Sequence, residues 1–359
     1  MHEWHNITND PHILDIVENC HLDINVADIG PLFAEDVEYV FSEEEKSIVC
    51  QEIVKLLDLK VIKETHRQEG KILSPIFLWR KKDGGFRLIL NLAKLNEHID
   101  YKHFKMENFE QAIRLINRDA YKASVDLRHA YYSIKIAEEQ QRFLCFKWQE
   151  KIYQFTCLPN GVAEGPRLFT KLMKPIFATL REKGHIIASF IDDTLISHSS
   201  FAGCCESVHA TVDLLRKMGF CINDGKSVLV PTKRLEYLGN VIDSETMPVM
   251  LPDRRRQKIV HSCEELFHSD RAKIRNVAKV IGLLVAAIPA VEMGRLHYRK
   301  LESAKISALK DAKGNYDRWM AVTHEMKTDL LWWLTYIAVQ NKKIFGKVQK
   351  WTYILMRQI

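Results

Sequence analysis

Apolar and polar residues alternate with two different periods along the chain, and the change from one to the other outlines its elements. The segment FSEEEKSIVCQEIVKLLDL has apolar residues every three to four positions, which predicts a helix, and Ser42 with Glu45 has capping-box spacing at its start. The next segment, SPIFLWRKKDGGFRLILNL, has apolar and alternating runs on either side of a DGG turn, which predicts a β-hairpin. Residues 1–40 have no clear period and predict mainly loops.

The middle of the chain alternates strand and helix patterns. NFEQAIRLI predicts a short helix before YKASVDLRHAYYSIKI, a strand that ends at Asp126, and FLCFKWQEKIYQFTCLP predicts a second hairpin. GPRLFTKLMKPIFATLREKG predicts a long amphipathic helix ended by Gly184, and SVHATVDLLRKMGF predicts a further helix closed by Gly219. Beyond about residue 246 strand signals fade and the remainder is mostly helical. The order predicts an α+β fold with a ferredoxin-like centre and a helical module after it.

Composition narrows the class of protein only modestly. The 359 residues are 47% hydrophobic and 27% charged, which is enough for two or three packed modules. Lys and Arg number 52 against 46 Asp and Glu, and this balance suits a polyanionic partner without establishing one. The eight cysteines show no C-x-x-C pairing and no zinc spacing, which predicts reduced thiols and an intracellular location, in the cytoplasm or nucleus. No signal peptide and no span-length apolar run is visible, so no membrane partner is expected.

Two adjacent aspartates, Asp192 and Asp193, lie between apolar runs in ASFIDDTLIS. Such a pair arises by composition about once in a chain of this length, and a solvated turn is the ordinary alternative. The flanking alternation instead predicts strand, acidic turn and strand, with the carboxylates at the hairpin tip. Asp126 follows the buried run ASV, and a strand-end cap is its alternative when it is considered alone. Three carboxylates on two adjacent strands suit a pair of Mg²⁺ ions about 3.5–4 Å apart.

Several motifs carry a family resemblance. VDLRHAYYSI, LPNGVAEGPRLF, FIDDTLI, GFCINDGKSVL and LEYLGN occur in order and resemble the palm motifs of retroelement reverse transcriptases. WRKKDGGFRLILNLAKLN resembles their fingers hairpin. LNEHIDYKHFKMEN and YQFTCLPNG resemble the DIRS-like retrotransposons, which encode a tyrosine recombinase, more than the Ty3-like branch. The resemblance covers about residues 40–340 and implies an α+β right-hand polymerase with fingers, a ferredoxin-like palm and a helical thumb.

The resemblance also implies an activity and a division of the chain. The activity is RNA-directed DNA polymerisation, in which dNTPs are joined to a primer 3′-hydroxyl on an RNA or DNA template with two Mg²⁺ ions, Mn²⁺ being the alternative. The implied parts are an unassigned segment 1–40, fingers 41–101 and 134–164, palm 102–133 and 165–245, thumb 246–310, and the helical start of a truncated connection segment 311–359. The sequence does not fix the oligomeric state.

The metal and triphosphate roles follow from the same resemblance. Asp126 and Asp192 would be the principal metal ligands, with Asp193 supporting them. Lys81 and Arg87, on the fingers hairpin, would close over the triphosphate of the incoming nucleotide, because an ammonium and a guanidinium suit phosphate oxygens. A solvated basic hairpin is the alternative for these two cations.

Further nucleotide contacts are implied in the palm. Tyr131 stands where the family places an aromatic ring under the nucleotide sugar, a ring that would collide with a 2′-hydroxyl; a core tyrosine is the alternative. Asn160 and Gly161 would pack against the sugar and the templating base. Lys226 would lie near the leaving pyrophosphate as a general acid, with a surface lysine as the alternative.

Primer and backbone contacts are implied further along the chain. Leu238 and Gly239 match the turn that grips the primer end. PDRRRQKIV begins a helix at Asp253, and basic residues in its first turns oppose the helix dipole, so they indicate an external anion such as the nucleic-acid backbone. These residues are Arg254, Arg255, Arg256 and Lys258, and a solvated charge run is their alternative.

Four positions depart from the family pattern: Phe190 replaces a Tyr, Asn160 replaces a Gln, His129 stands where an acid is frequent, and Asn91 stands where Asp is frequent. None is a predicted metal ligand, so the departures bear on fidelity and nucleotide fit rather than on activity.

Alternative functions remain to be weighed. A catalytically inactive, nucleic-acid-binding remnant of a truncated element is the main one, although all three acids are intact. An unrelated Mg²⁺ phosphotransferase does not explain the ordered motifs. No Asp or Glu follows Asp329, so no RNase H activity is expected from this chain, and loss of a covering domain would expose Trp332 and Trp333.

Overall fold

The structure is a computed structural model that describes residues 1–25, 39–66, 70–80, 84–100, 102–291, 293–339 and 342–344. Its helices are α1 (His2–His5), α2 (Pro11–Asn19), α3 (Glu43–Asp58), α4 (Ala93–Asn96), α5 (Phe109–Arg114), α6 (Gly165–Glu182), α7 (Phe201–Lys217), α8 (Asp253–Phe267), α9 (Ile274–Ala287), α10 (Arg299–Asp311) and α11 (His324–Tyr336). Its strands are β1 (Ile62–Thr65), β2 (Ile76–Arg80), β3 (Phe86–Leu90), β4 (Tyr121–Arg128), β5 (Cys145–Trp148), β6 (Lys151–Phe155), β7 (Ile186–Phe190), β8 (Asp193–His198), β9 (Cys221–Ile222), β10 (Val228–Thr232), β11 (Arg234–Tyr237), β12 (Asn240–Asp243), β13 (Pro248–Met250), β14 (Arg271–Lys273), β15 (Trp319–Ala321) and β16 (Lys342–Ile344).

A central sheet carries the strands in the order β10-β4-β8-β7, and β9 pairs with the far end of β4. Helices α6 and α7 pack on this sheet and against each other. The apolar stripe predicted for α6 is buried there, at Leu168, Phe169, Leu172, Met173, Ile176, Phe177 and Leu180. The burial of this helix face against the sheet holds β4 and β8, two strands of that sheet, in place.

Smaller sheets flank the central one. The hairpin β2–β3 and the sheet β1-β6-β5 lie in the first half of the chain, so both predicted hairpins are confirmed. The sheet β11-β12-β13-β16 follows the central sheet, and α8 to α11 with the pair β14–β15 complete the second half. The buried apolar residues form two clusters, one under the central sheet and the first-half elements and one shared by β11–β13 and the last helices.

Local signals at the helix ends behave as the sequence predicts. The Ser42 Oγ accepts a hydrogen bond from the Glu45 backbone N–H at 3.2 Å, and Glu45 Oε2 accepts from the Ser42 N–H at 2.9 Å. Helix α6 stops just before Gly184, whose φ of +90° is inexpensive only without a Cβ. Helix α8 begins at Asp253, as predicted.

Two expectations about elements are wrong. Residues 1–25 contain helices α1 and α2 rather than mainly loops. Strand β4 continues past Asp126 to Arg128, because its last two residues pair with β9, a partner far along the chain. The prediction that the chain is mostly helical beyond about residue 246 is confirmed by α8 to α11, although three-residue strands such as β14, which are too short to show a period, also occur there.

Of the two tryptophans near residue 332, Trp333 is buried, contrary to the sequence expectation, whereas Trp332 is partly exposed. Trp333 is 1% exposed, and its Nε1 donates a hydrogen bond to the His297 carbonyl at 2.6 Å. Trp332 stacks on the His297 ring with centroids 4.0 Å apart. Among the described residues, no helix combines the length and apolar character needed to cross a membrane.

A buried lysine ties β4 to the β11–β12 region. Lys122 is 0% exposed, and its Nζ donates to the carbonyls of Ala120 at 3.2 Å and Lys233 at 2.7 Å and to Ser244 Oγ at 2.7 Å. Its three donors therefore match three acceptors. Burial lowers the pKa of Lys122 from 10.5 to about 8, with the nearby Asp243 carboxylate opposing that shift.

We expect the free energy of unfolding to rise with pH between 8 and 10.5 because of Lys122. In that window the unfolded chain keeps the lysine proton while the native lysine has released it, so the unfolded state binds more protons and stability increases with pH. The increase relative to Lys122→Met should be about 3 kcal/mol across this window, measured by urea denaturation. Lys217→Met, at an exposed position of α7, is the control, and equal pH slopes for wild type and Lys122→Met would contradict the expectation.

Candidate active site

The register between β4 and β8 brings the predicted acids together. Asp126 lies directly opposite Asp193, and the Leu127 N–H donates to the Asp192 carbonyl at 3.0 Å. Directly opposed residues of antiparallel strands point to the same face of a sheet. The hairpin predicted from ASFIDDTLIS is confirmed, since Phe190 pairs with Asp193 and the acidic residues stand at its tip.

The tip of this hairpin is conformationally strained. Ile191 has a φ of +53°, which is unusual for a β-branched side chain. Such strain costs about 1–3 kcal/mol and persists only where the surroundings impose it. Here β7 and β8 pair on both sides of the tip, and β4 pairs along β8, so the flanking sheet imposes it.

The carboxylates repel one another in a partly buried setting. Burial, and then the charges of Asp192 and Asp126, raise the pKa of Asp193 from 3.8 to about 6. Burial, with the charge of Asp126, raises the pKa of Asp192 as well. Lys226 lowers both values and Arg87 lowers that of Asp192, so these two cations lie within electrostatic reach of the acids.

The sequence did not reveal the polar residues that hold Asp126. Asn223 Nδ2 donates to Asp126 Oδ1 at 2.6 Å, and the Asn223 N–H donates to the Asp126 carbonyl at 2.9 Å. The Asp126 N–H donates in turn to Ser227 Oγ at 3.0 Å. Both partners stand in the turn between β9 and β10, about 100 residues along the chain. The polar run NDGKS was the signal available, but it indicates a turn and not its partner.

Tyr131 lies beside the acids in the 3₁₀ turn Ala130–Ser133, immediately after β4. Burial, and then the charge of Asp192, raise the pKa of Tyr131 to about 12. Its ring meets Phe169 of α6 edge-to-face, with centroids 5.6 Å apart. Tyr131 is thus placed next to the acidic tip, as a residue under the nucleotide sugar would have to be.

The other predicted nucleotide contacts lie on several different elements. Arg87 is an exposed residue of β3, and Lys226 is exposed in the β9–β10 turn. Asn160 is hydrogen-bonded to Tyr132, whose pKa burial raises. Gly161 has a φ of +104°, and its carbonyl accepts from Asn96 Nδ2 at 2.9 Å. Lys81 lies outside the described residues.

Three departures from the family pattern have local structural roles. Asn160 bonds Tyr132, as above, and Asn91 Oδ1 accepts from the Ala93 N–H at 3.2 Å at the start of α4. His129 has a φ of +57°, a conformation for which His is comparatively well suited, at the turn that follows β4. Phe190 ends β7 and directly precedes the acidic tip.

The predicted primer-grip residues form a two-residue hairpin turn. Tyr237 pairs with Asn240, and the residues between them, Leu238 and Gly239, have φ values of +46° and +71°. Positive φ at both positions matches the type I′ turn, whose twist suits a hairpin. The Tyr237 hydroxyl donates to the Asp193 carbonyl at 3.3 Å, so this turn is tied to the acidic hairpin.

The four cations at the start of α8 do not share one role. Arg255 is half-buried, and it donates from Nη1 to the Gly239 carbonyl and from Nη2 to the Ala286 carbonyl, each at 2.6 Å. It therefore fixes the hairpin turn to α9 from within. Arg254 pairs with Glu236, Arg256 pairs with Asp253, and Lys258 is exposed.

A divalent metal ion fits the acids chemically. Asp126, Asp192 and Asp193 supply hard oxygen donors, and burial, followed by the charges of the neighbouring acids, raises the pKa of Asp192 and Asp193, an effect that a bound cation would oppose. Across the part of the chain that the structure describes, however, no three His, Cys, Asp or Glu side chains are gathered into a ready metal cluster. The Asp126 carboxylate is bonded instead to Asn223.

Comparison with known proteins agrees with this geometry. Residues 79–242 match the family model described as reverse transcriptase (RNA-dependent DNA polymerase). The matched stretch includes the whole of the acidic hairpin, β4 and the turn at Leu238 and Gly239.

Relatives of this chain are viral and transposon polyproteins. It is 24% identical over 253 residues to the Pro-Pol polyprotein of Simian foamy virus type 1, covering 70% of this chain and 20% of the polyprotein. It is 23% identical over 229 residues to polyprotein P3 of Commelina yellow mottle virus, covering 61% and 12%. It is 22% identical over 161 residues to the Transposon Tf2-3 polyprotein of Schizosaccharomyces pombe, covering 44% and 12%. The chain spans about a fifth or less of the length of these relatives.

Solved structures of foamy viral protease-reverse transcriptase share the fold. One, in complex with an RNA/DNA hybrid, has a TM-score of 0.69 at 18% identity over 92% of this chain and 41% of that chain. Another, in complex with double-stranded DNA, has a TM-score of 0.72 at 19% identity over 96% and 60%. The α+β right-hand polymerase fold expected from the sequence is confirmed.

We expect Asp193→Asn to stabilise the metal-free protein at pH values well above 6. The native carboxyl has a pKa of about 6 against 3.8 unfolded, so ionisation costs the native state energy that is fully present above 6 and absent below 3.8. The gain should be about 1–2 kcal/mol, measured by chemical denaturation in EDTA, and it should disappear in acid. Asp213→Asn, exposed on α7, is the control. A gain that did not depend on pH would rule out this electrostatic cause.

Arg254→Ala and Arg255→Ala should separate two kinds of arginine. Loss of Arg255 leaves the carbonyls of Gly239 and Ala286 without their donor and should lower the free energy of unfolding by about 1–3 kcal/mol. Loss of the exposed Arg254 should change it by less than about 0.5 kcal/mol. Urea denaturation of both variants tests this, and equal losses would mean that the Arg255 contacts add little.

Proposed function

We propose that this chain is an RNA-directed DNA polymerase, a reverse transcriptase that joins dNTPs to a primer 3′-hydroxyl. The observation that carries the proposal is the register that sets Asp126 opposite Asp193, with Asp192 next to Asp193 at the tip of a strained hairpin. The match of residues 79–242 to the reverse transcriptase model supports it. The proposed ligands of the divalent metal ions, Mg²⁺ or Mn²⁺, are these three acids.

The side chains around the acids suit phosphoryl transfer. Arg87 is exposed on β3, and its charge reaches Asp192, so a triphosphate held by its guanidinium would lie above the acidic tip. Lys226 is exposed and influences both tip acids, so it can donate a proton to the leaving pyrophosphate. Metal ions held by the acids would supply activation of the 3′-hydroxyl and neutralise charge on the phosphates.

Tyr131 is the candidate residue for discrimination between deoxyribonucleotides and ribonucleotides. Tyr131 lies within electrostatic reach of Asp192 and its ring contacts Phe169, so this ring can occupy the space beside the 2′ position of a bound nucleotide. Its raised pKa keeps the phenol neutral at all physiological pH values. Asn160 and Gly161 would border the base and sugar, and Leu238 and Gly239 would hold the primer end beside Asp193.

The proposed partners are taken from the solved relatives, and the proposed origin is taken from the sequence motifs. The foamy viral structures are complexes with an RNA/DNA hybrid and with double-stranded DNA, and we extend both kinds of duplex to this chain. Arg254, Arg256 and Lys258 are its candidate backbone contacts. The proposed parts are fingers 41–101 and 134–164, palm 102–133 and 165–245, and thumb 246–310. The origin is a DIRS-like retrotransposon, acting inside the cell, as the motif wording indicates.

Primer extension on an RNA template with dNTPs and Mg²⁺ tests the proposal. Wild type should extend the primer, and Asp192→Asn should lose activity by about 100-fold or more, because a ligand of the reacting metal is removed. Asp213→Asn should retain activity, and fluorescence anisotropy should show that all three proteins bind the duplex. Folded wild type that binds the duplex but never extends it would overturn the proposal and favour an inactive, nucleic-acid-binding remnant.

A further inference from the structure

The first 25 residues are built into the polymerase fold although they lie outside the residues matched to the family model. Helix α2 packs on α6, and Cys20 forms a parallel bridge with Ile136. The Leu22 N–H donates to Gln140 Oε1 at 2.6 Å, and the Leu22 carbonyl accepts from Gln140 Nε2 at 2.9 Å. This segment is therefore fastened to the same body as the candidate active site.

Within this segment, Trp4 of α1 is 5% exposed and begins a chain of ring contacts. Its indole meets Phe220 with centroids 6.4 Å apart and planes at 69°. Phe220 meets Phe169 at 6.0 Å and 89°, and Phe169 meets Tyr131 at 5.6 Å and 85°. All three contacts are edge-to-face, the arrangement that the ring quadrupoles favour.

The chain of ring contacts leads from buried residues to a residue that is only partly buried. Phe169 is 0% exposed and Phe220 is 4% exposed, while Tyr131 is only partly buried at the end. Buried rings in a close-packed interior cannot shift without displacing their neighbours. Tyr131 itself sits in a short 3₁₀ turn, and its edge-to-face contact with Phe169 can limit the tilt of its ring.

We propose that Trp4 is a positioning residue for sugar selection, acting through Phe220 and Phe169 to hold the Tyr131 ring where it excludes a 2′-hydroxyl. The inference rests on the proposed polymerase function and deepens it. Trp4 contacts neither the nucleotide nor the acids. It limits displacement of the Tyr131 ring when a ribonucleotide binds.

The first test compares incorporation of dNTPs and rNTPs by the full chain. Trp4→Leu removes a ring and should reduce the ratio of kcat/KM for dNTP over rNTP by about tenfold, mainly by lowering KM for rNTP. Trp4→Phe keeps an edge for Phe220 and should retain most of the ratio. Phe220→Leu breaks the chain at its middle and should reproduce the loss, which keeps the test open if one variant folds poorly.

A control separates positioning from general destabilisation. Leu22→Ala removes a buried side chain of the same segment that is not part of the ring chain, and Leu22 is 3% exposed. It should lower thermal stability comparably while leaving the dNTP to rNTP ratio unchanged. Equal changes of that ratio in Leu22→Ala and Trp4→Leu would overturn the proposal, as would an unchanged ratio in Trp4→Leu.

A second readout does not depend on catalysis. A 3-fluorotyrosine placed at Tyr131 reports its ring environment by ¹⁹F NMR. Trp4→Leu should shift or broaden that signal, and Leu22→Ala should not. If wild type failed to polymerise, this shift would still support the coupling while the proposed function fell. An unmoved signal in Trp4→Leu would overturn the coupling whatever the activity.

Discussion

The antiparallel register of β4 on β8 is the constraint on which the candidate site depends. Because side chains alternate between the two faces of a sheet, a slip of one residue would carry Asp126 away from Asp193 to the opposite face. The register is held by apolar burial on the covered face, where Ala123 and Val125 of β4 are fully buried against α6 and α7. The core under the sheet therefore decides which residues meet at its acidic edge.

That same pairing makes the protein hold an unfavourable arrangement. Asp192 and Asp193 are partly buried near Asp126, and burial, followed by repulsion between the acids, raises the pKa of both. Asn223 relieves part of it with an amide hydrogen bond, and Lys226 relieves part of it by its charge. A positive φ at the neighbouring isoleucine adds backbone strain. Carboxylates arranged in this way destabilise the metal-free protein, and bound cations would compensate their negative charge. Such unfavourable arrangements are concentrated at functional sites.

The sequence predicted features whose signals are local. A capping box, a glycine after a helix and an acidic hairpin tip are each written within a few residues, and Ser42, Gly184 and Asp192 took their expected places. Contacts between distant segments were missed, because no periodicity connects Asn223 to Asp126. The end of β4 was misplaced for the same reason, since a strand of two residues, β9, extends it.

The basic residues at the start of α8 also show what the sequence alone could not predict. A run of arginines reads as a charged surface, and Arg254 fits that description. Arg255, its neighbour, lies on another face of the helix and donates hydrogen bonds to the carbonyls of Gly239 and Ala286. Composition and spacing cannot distinguish Arg254 from Arg255, because the difference depends on which residues of other elements lie beside each one in the folded protein.

The grip turn and the acidic hairpin are mechanically one unit. The Tyr237 hydroxyl bonds the Asp193 carbonyl, and Tyr237 immediately precedes the turn at Leu238 and Gly239. Arg255 holds that turn from its other side by the Gly239 carbonyl. If the turn holds a primer end as proposed, its hydrogen bond to the Asp193 carbonyl would keep that end at a fixed distance from the acids. In-line transfer requires that constancy, because reacting atoms misplaced by about 1 Å lose about 100-fold in rate.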